Sequence, residues 1–198
     1  YRVCGDAARL PLADASVDVV FSSLCLQWAD DLAGTLSEFR RVLRPDGLLL
    51  FSTFGPRTLG ELREAFTAAD ATPHVSRFLP IQQVGDALMR AGFRDPVLDQ
   101  DDFTLTYPDL GSLMRELRAI GATNALAERR RSLTGKARFR AAEAAYETHR
   151  REGALPSTWE VIYAHAWGPR PGAPRRGGGE GEIATVPLSS IPIRRAPR

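Results

Sequence analysis

Apolar residues near the start of the chain form two short runs with a helical repeat between them. Residues 17–23 and 48–54 are rich in valine, leucine and phenylalanine on both faces, which is typical of buried parallel strands. The pattern between them predicts a helix that Asp30 or Asp31 caps and that ends in a tight turn at residues 44–47. Its apolar residues are Leu32, Leu36, Phe39 and Leu43. Strand, helix and strand together predict a βαβ unit with parallel strands.

The rest of the pattern predicts further helices and strands as far as residue 167. These are helices opened by Thr58, by Pro80 and by Pro108 with Asp109, a weakly amphipathic helix over residues 134–151, and strands within residues 93–107 and over residues 158–167. Gly92 and Gly121 are predicted to end the second and third helices. The last strand is apolar on both faces, and we expect it to be interior in the sheet.

The first residues and the two cysteines carry weaker signals. Residues 1–4 are a short apolar stub, which predicts the end of a strand. Cys4 and Cys25 have strand-like surroundings and form no C-x-x-C motif, so we expect reduced thiols in the core and neither a disulfide framework nor a zinc knuckle. The three histidines share no spacing with carboxylates that is typical of a metal site.

Composition and charge exclude several classes of protein. Of the 198 residues, 43% are hydrophobic and 25% charged, enough for a packed core, and no apolar run approaches a membrane helix. Residues 168–198 contain six arginines against two glutamates and are rich in glycine and proline. This predicts a flexible tail that folding does not require. Because the basic charge lies in the tail and not in the folded part, we expect no nucleic-acid partner. The lack of a long apolar run predicts no membrane partner, and two reduced cysteines are typical of a cytoplasmic protein.

The first candidate ligand contact is Asp6, with Ala7 beside it. Both follow the predicted strand end, and ligands bind at the carboxyl ends of strands in open α/β sheets. The Asp6 carboxylate could accept a hydrogen bond from an exocyclic amine such as that of adenine. The alternative is an Asx turn, in which the carboxylate stabilises its own loop.

The second candidate region follows the strand at residues 17–23. Small hydroxyl residues, Ser22 and Ser23, would let a ligand approach the backbone near Leu24, and Trp28 offers an apolar wall. The alternative is a plain strand-to-helix loop.

Arginines supply two further candidates. Arg77, beside Phe78 and just before a predicted helix, could hold a carboxylate with its planar fork, or it is simply solvated. The arginines between residues 115 and 140 form a basic helical region that is either a solvated face or a contact for an acidic partner.

Several motifs together carry a resemblance to a known family. The strings GDA (5–7), LPL (10–12), VDVV (17–20) and RVLRPDG (41–47) resemble the second half of a class I S-adenosylmethionine-dependent methyltransferase. Narrower strings resemble the malonyl-acyl carrier protein O-methyltransferases of biotin synthesis: LCLQW (24–28), PH (73–74), RFLP (77–80), MRELRAIGATN (114–124) and WEVIYAHAW (159–167).

The resemblance implies an α/β, Rossmann-like sheet, mostly parallel with an antiparallel C-terminal strand. Residues 1–167 would be a partial methyltransferase domain with inserted helices at about 56–92 and 108–152. The family's sheet order is 3-2-1-4-5-7-6, and its glycine-rich loop is not found, since Gly5 is the only glycine before Gly34. We therefore expect a sheet without the family's first two strands, a strand at residues 1–4 without a neighbour, and no activity from the chain alone.

The implied reaction is methyl transfer from S-adenosylmethionine to the free carboxylate of a malonyl group on acyl carrier protein. By the same resemblance, Asp6, Ala7, Ser23 and Leu24 would contact the cofactor, while Trp28 and Arg77 would contact the substrate. No catalytic acid or base is expected, because positioning suffices for an acceptor that is already anionic. Two alternatives stay open: an inactive remnant, and a class I methyltransferase acting on another small acid or a quinone precursor.

Overall fold

A computed structural model describes residues 2–69, 71–126, 128–129 and 135–170, and the backbone of residues 175–176 and 184–185. Its elements in chain order are β1 (Val17–Ser23), a 3₁₀ turn (Leu26–Trp28), α1 (Leu32–Val42), β2 (Leu43–Phe54), α2 (Gly60–Ala69), α3 (Ile81–Arg90), β3 (Arg94–Tyr107), α4 (Leu110–Ala119), α5 (Lys136–Glu147), β4 (Leu155–Trp167), β5 (Arg175–Arg176) and β6 (Ala184–Thr185). The contacts divide the chain into two compact units, residues 1–53, 81–99 and 162–198, and residues 54–80 and 100–161.

The main sheet has the predicted strand order. Its four strands lie in the order β1-β2-β4-β3, and β1 and β2 are parallel. Hydrogen bonds from Gly55 N to Glu160 O (2.9 Å) and from Gly168 N to Gly47 O (2.8 Å) link opposite ends of β2 and β4. These two strands are therefore antiparallel, and β4 is interior. The α/β fold class with an antiparallel C-terminal strand is confirmed.

The start of β2 differs from the prediction. The strand begins at Leu43, directly after α1, and the predicted turn at residues 44–47 is an irregularity within it: Val17 pairs with Leu43, but Val19 pairs with Leu48. Asp46 has a φ of +57°, and a Cβ on Gly47 would lie 2.9 Å from Arg44 O. Close backbone packing therefore requires a glycine at position 47.

Each unit has its own hydrophobic core. In the first unit, α1 and α3 pack on β2 and β4 through side chains such as Leu36, Leu49, Leu88 and Ile162, none of which is exposed. In the second unit, α2, α4 and α5 pack together around Phe66, Leu113, Ala142 and Tyr146. Burying one leucine or isoleucine contributes about 1.5–3 kcal/mol, so these residues stabilise each unit strongly.

Local signals placed most helix ends correctly. Asp31 caps α1 by accepting a hydrogen bond from Gly34 N, and Asp109 caps α4 in the same way from Ser112 N. Gly92 and Gly121 follow α3 and α4 with φ values of +83° and +77°. Thr58 was predicted to cap α2, which is wrong. Its hydroxyl instead donates to Glu160 O (2.9 Å) and accepts from Glu160 N (3.0 Å).

Three predictions about the first 25 residues of the chain are wrong. Residues 2–5 form no strand, and Cys4 and Cys25 are exposed free thiols rather than core residues. One face of β1 is also open, since Val19 is 53% and Phe21 74% exposed. Among the described residues, little packs on the face of β1 that carries Val19 and Phe21, and β1 is also an edge strand that pairs only with β2.

The described residues add two facts about the rest of the chain. No helix among them is both long enough and apolar enough to cross a membrane. Most of the tail at residues 168–198 lies outside the described residues. Its flexibility and its dispensability for folding therefore stay predictions. At its start, Gly168 is buried against Gly47, and Arg170 lies 3.6 Å from Asp46.

Candidate functional site

The carboxyl ends of β1 and β2 lie at the same edge of the sheet. Ser23, the last residue of β1, pairs with Ser52 of β2. Leu24 then turns away with a φ of +46°, and its N–H donates to Ser52 O (3.1 Å) and to Ser52 Oγ (3.2 Å). A left-handed conformation is unfavourable for leucine and persists only where neighbouring contacts hold it. The contacts with Ser52 hold Leu24 at this edge, directly after Ser23.

Two buried polar atoms at this edge have no hydrogen-bond partner. They are Ser22 Oγ and Gln27 Oε1. The amide nitrogen of Gln27 is used, because Nε2 donates to Leu24 O (2.6 Å). A buried polar atom without a partner costs about 1–3 kcal/mol, and a polar ligand at this edge would remove that cost.

Trp28 lies at the same edge, at the end of the 3₁₀ turn. Leu26 fixes this turn in the core of the first unit, whereas Trp28 is 49% exposed. The indole therefore presents an apolar surface near the end of β1, as the sequence predicts. The position of Trp28 does not decide between the two interpretations, a ligand contact and a plain strand-to-helix loop.

Asp6 and Ala7 lie in a tight turn of the first unit. Asp6 Oδ1 accepts a hydrogen bond from Ala8 N, and Asp6 O accepts one from Arg9 N, both at 2.9 Å. Asp6 is exposed, while Ala7 packs against the core of the unit. The Asx turn of the alternative interpretation is present, and an exposed carboxylate still has lone pairs for a ligand.

A pair of charged residues on α1 holds the segment that follows this turn. Glu38 accepts from Leu10 N (2.7 Å) and from Arg41, whose guanidinium also donates to Leu12 O (2.8 Å) and Asp14 (2.6 Å). The hydrogen bond from Arg41 lowers the pKa of Glu38, and the acceptors on Glu38 and Asp14 raise the pKa of Arg41. Residues 10–14 are thereby fixed beside the Asp6 turn.

Arg77 belongs to the second unit, apart from the other five predicted site residues. Its neighbour Phe78 packs edge-on against Phe54 (centroids 5.7 Å apart), which in turn lies 5.4 Å from Trp159. Arg77 itself is exposed, and within the described part of the chain it forms no hydrogen bond or ion pair. The aromatic cluster therefore fixes the segment and leaves the guanidinium free to bind an anion.

Sequence reasoning missed Glu160, a buried carboxylate on β4. It is 3% exposed, and it accepts from Arg57 N (2.7 Å) while Arg57 also contacts Asp102 (2.9 Å). Together with the Thr58 bonds, Glu160 fixes the loop that follows β2. The available signal was that Glu160 is the one acidic residue in a strand that the sequence predicts to be interior.

The described residues contain no group of three or more histidine, cysteine, aspartate or glutamate side chains that could hold a metal ion.

Comparison with known proteins agrees with this fold. Residues 2–51 match the family model described as a methyltransferase domain. A crystal structure of a candidate methyltransferase from Bacillus halodurans C-125 aligns with a TM-score of 0.51 at 18% identity, covering 83% of this chain and 70% of that one. At this identity the likeness shows the fold alone.

Sequence similarity to curated proteins is much higher. A protein of Xylella fastidiosa (strain M23) named malonyl-acyl carrier protein O-methyltransferase is 61% identical over 98% of this chain and 65% of its own length. A protein of the same name from Laribacter hongkongensis is 52% identical, over 88% and 58%. The chain thus spans less than two thirds of these relatives. It has the class I methyltransferase fold, and over nearly its whole length it is related to proteins named malonyl-acyl carrier protein O-methyltransferase.

Proposed function

We propose that the gene product containing this chain transfers a methyl group from S-adenosylmethionine to the free carboxylate of malonyl-acyl carrier protein. The product is the methyl ester that primes biotin synthesis. The observation that carries the proposal is the 61% identity, over 98% of the chain, with a protein named for this activity.

The edge at the end of β1 fits such a cofactor. Ser22 Oγ and Gln27 Oε1 are buried and lack partners, and the left-handed turn at Leu24 stands beside two small residues. Asp6 and Ala7 would hold the adenine, and Ser23 and Leu24 would lie along the cofactor. When bound, the cofactor supplies an electrophilic methyl group on a sulfonium sulfur.

The acceptor needs no activation by a base. A carboxyl group with an ordinary pKa of about 4 is ionised at neutral pH, so no proton has to be removed before transfer. What the protein must supply is orientation of one carboxylate oxygen and exclusion of water. Trp28 offers an apolar surface for this purpose.

Arg77 is the proposed anchor for the malonyl carboxylate. A guanidinium fork pairs with both oxygens of an anion, and this pair weakens when one oxygen becomes an ester. The same residue would therefore bind the substrate and release the neutral product. Its lack of a described ion-pair partner supports this role.

The carrier protein would meet the basic region at residues 115–140. Arg115 and Arg118 on α4 are exposed and line a cavity of about 340 Å³ with apolar walls from Phe66, Met114 and Phe139. Acyl carrier proteins are acidic, and complementary charge speeds encounter and fixes orientation. We place the reaction in the cytoplasm, where the two free thiols would stay reduced.

The test is a transfer assay with methyl-labelled S-adenosylmethionine on the gene product. We expect a labelled, base-labile ester on malonyl-acyl carrier protein and none on acetyl-acyl carrier protein, which has no free carboxylate. Absence of label on the malonyl carrier, or equal labelling of both carriers, would overturn the proposal.

A further inference from the structure

Arg63, near the middle of α2, ties together two loops of the second unit. Its guanidinium donates to Pro56 O (3.1 Å), Thr58 O (3.1 Å) and Ser76 O (3.4 Å). The first two carbonyls belong to the loop after β2, and Ser76 directly precedes Arg77. One side chain therefore fixes the segment that presents Arg77.

Arg63 contacts the residue directly before Arg77, so two positive residues belong to the same part of the second unit. Burial, and after it the charge of Arg77, lowers the pKa of Arg63, while Glu64 opposes this shift. No carboxylate in the described residues forms an ion pair with either arginine. Like charges repel, and an anion that both guanidinium groups bind would relieve this repulsion.

The carboxylates on α2 itself are occupied elsewhere. Glu61 accepts hydrogen bonds from Thr158 N (3.1 Å) and from Thr158 Oγ1 (2.5 Å). Glu64 lies 3.5 Å from His149 Nε2. Within the described residues, neither carboxylate of α2 forms an ion pair with Arg63.

Unused hydrogen-bond donors lie in the same region. Arg63 Nε–H is buried and has no acceptor, and neither has the indole N–H of Trp159 in the cluster with Phe54 and Phe78. Carboxylates only accept hydrogen bonds, so they complement a region whose unfilled groups are donors. The aromatic side chains provide apolar surface for the carbon atoms attached to the carboxylate.

We propose that Arg63 and Arg77 form a two-guanidinium carboxylate site, with Arg63 as the fixed member and Arg77 as the exposed member. The naming of the ligand as a malonyl group rests on the proposed function. An acetyl group would leave both guanidinium groups without an anion, so the pair selects acyl groups that end in a carboxylate. The neutral methyl ester loses the ion pair with both residues.

The direct test uses malonate as the probe and the chain itself as the protein. In a ¹H–¹⁵N NMR titration, the Nε–H resonance of Arg63 shifts as malonate supplies its missing acceptor. Malonamide, which is uncharged, leaves the resonance in place. If the protein binds malonate but the Arg63 Nε–H resonance does not shift, the proposal is overturned. Arg77 would then be the only anchor.

Variants provide a second readout by calorimetry. Arg77→Met and Arg63→Lys each weaken malonate binding by about tenfold, the loss of one charge-assisted hydrogen bond, and the exposed Arg90→Met serves as the matched control with unchanged affinity. Wild-type affinity in folded Arg63→Lys overturns the proposal. If that variant does not fold, the NMR titration of the wild type decides.

This experiment separates the site from the reaction. Malonate binding that depends on Arg63, without methyl transfer to the malonyl carrier, leaves the site standing and refutes the proposed function. Methyl transfer with an unchanged KM in Arg63→Lys would refute the two-guanidinium site and leave the proposed function standing.

Discussion

A single carboxylate, that of Asp6, has two tasks in the proposed site. It closes its own turn through Ala8 N, and it would accept a hydrogen bond from the cofactor's adenine. Two variants of Asp6 separate these tasks. Alanine removes both contacts, whereas asparagine keeps an oxygen that can accept the hydrogen bond of the turn.

We predict that Asp6→Ala in the gene product weakens S-adenosylmethionine binding by about 1–3 kcal/mol, the cost of one hydrogen bond to a partly buried partner. Asp6→Asn should lose less, since it retains an oxygen acceptor. Isothermal titration calorimetry measures both. An unchanged dissociation constant in Asp6→Ala would remove Asp6 from the site.

Glu38 predicts how stability depends on pH. Its folded-state pKa is lowered by the hydrogen bond from Arg41, so its contribution is present above the ordinary glutamate pKa of about 4.3 and is lost as pH falls through the lower folded value. Urea unfolding of Glu38→Gln should therefore show a smaller fall in unfolding free energy below about pH 4.3 than the wild type. Identical pH profiles for the two proteins would contradict this assignment.

At the scale of the elements, the loop after β2 depends on close packing between Gly55 and Glu160. A Cβ at position 55 would overlap the Glu160 carboxyl group, which cannot move freely because it is buried and bonded to Arg57 N. Gly60, at the start of α2, has nothing within 4 Å of such a Cβ.

We predict opposite effects for the two glycine-to-alanine changes. Gly55→Ala should lower the unfolding free energy by about 1–3 kcal/mol through overpacking, whereas Gly60→Ala should raise it by about 0.5–1 kcal/mol through helix propensity. Chemical denaturation measures both values. Equal effects of the two changes would show that Glu160 does not confine position 55.

The basic helical region carries a prediction about the protein partner. Reversing Arg130 and Arg138 to glutamate should raise KM for the carrier substrate by about tenfold and leave a small malonyl thioester almost unaffected. Arg138 is exposed on α5, and Arg130 lies outside the described residues. Steady-state kinetics with both substrates makes the comparison, and an equal change for both would indicate a folding defect.

Elements whose signals are local were predictable from the sequence. The caps at Asp31 and Asp109 and the stops at Gly92 and Gly121 depend only on nearby residues, and the structure confirms them. The cap predicted at Thr58 is wrong because the Thr58 hydroxyl has two possible partners: its own helix, and a strand about a hundred residues later in the chain. The choice between them depends on tertiary packing.

At the scale of the whole molecule, the order of the strands followed from the family resemblance, while their exposure did not. The apolar face of β1 looks buried in the sequence, but burial depends on what lies beside a strand and not on its composition. The candidate site shows the same division. Motifs pointed to Ser23, Leu24, Trp28 and Arg77, whereas Arg63 bonds only to backbone carbonyls, which leave no pattern in the sequence.

We expect the protein to recognise a free carboxylate through the guanidinium of Arg77. The sequence resemblance and the proposed reaction both imply such recognition. Its test is the kcat/KM of Arg77→Lys and Arg77→Ala in the gene product with malonyl-acyl carrier protein. We expect a fall of about tenfold for lysine, which lacks the fork, and about a hundredfold for alanine, with the dissociation constant of S-adenosylmethionine unchanged. If both variants keep near wild-type kcat/KM, Arg77 does not anchor the substrate and carboxylate recognition by this segment is refuted.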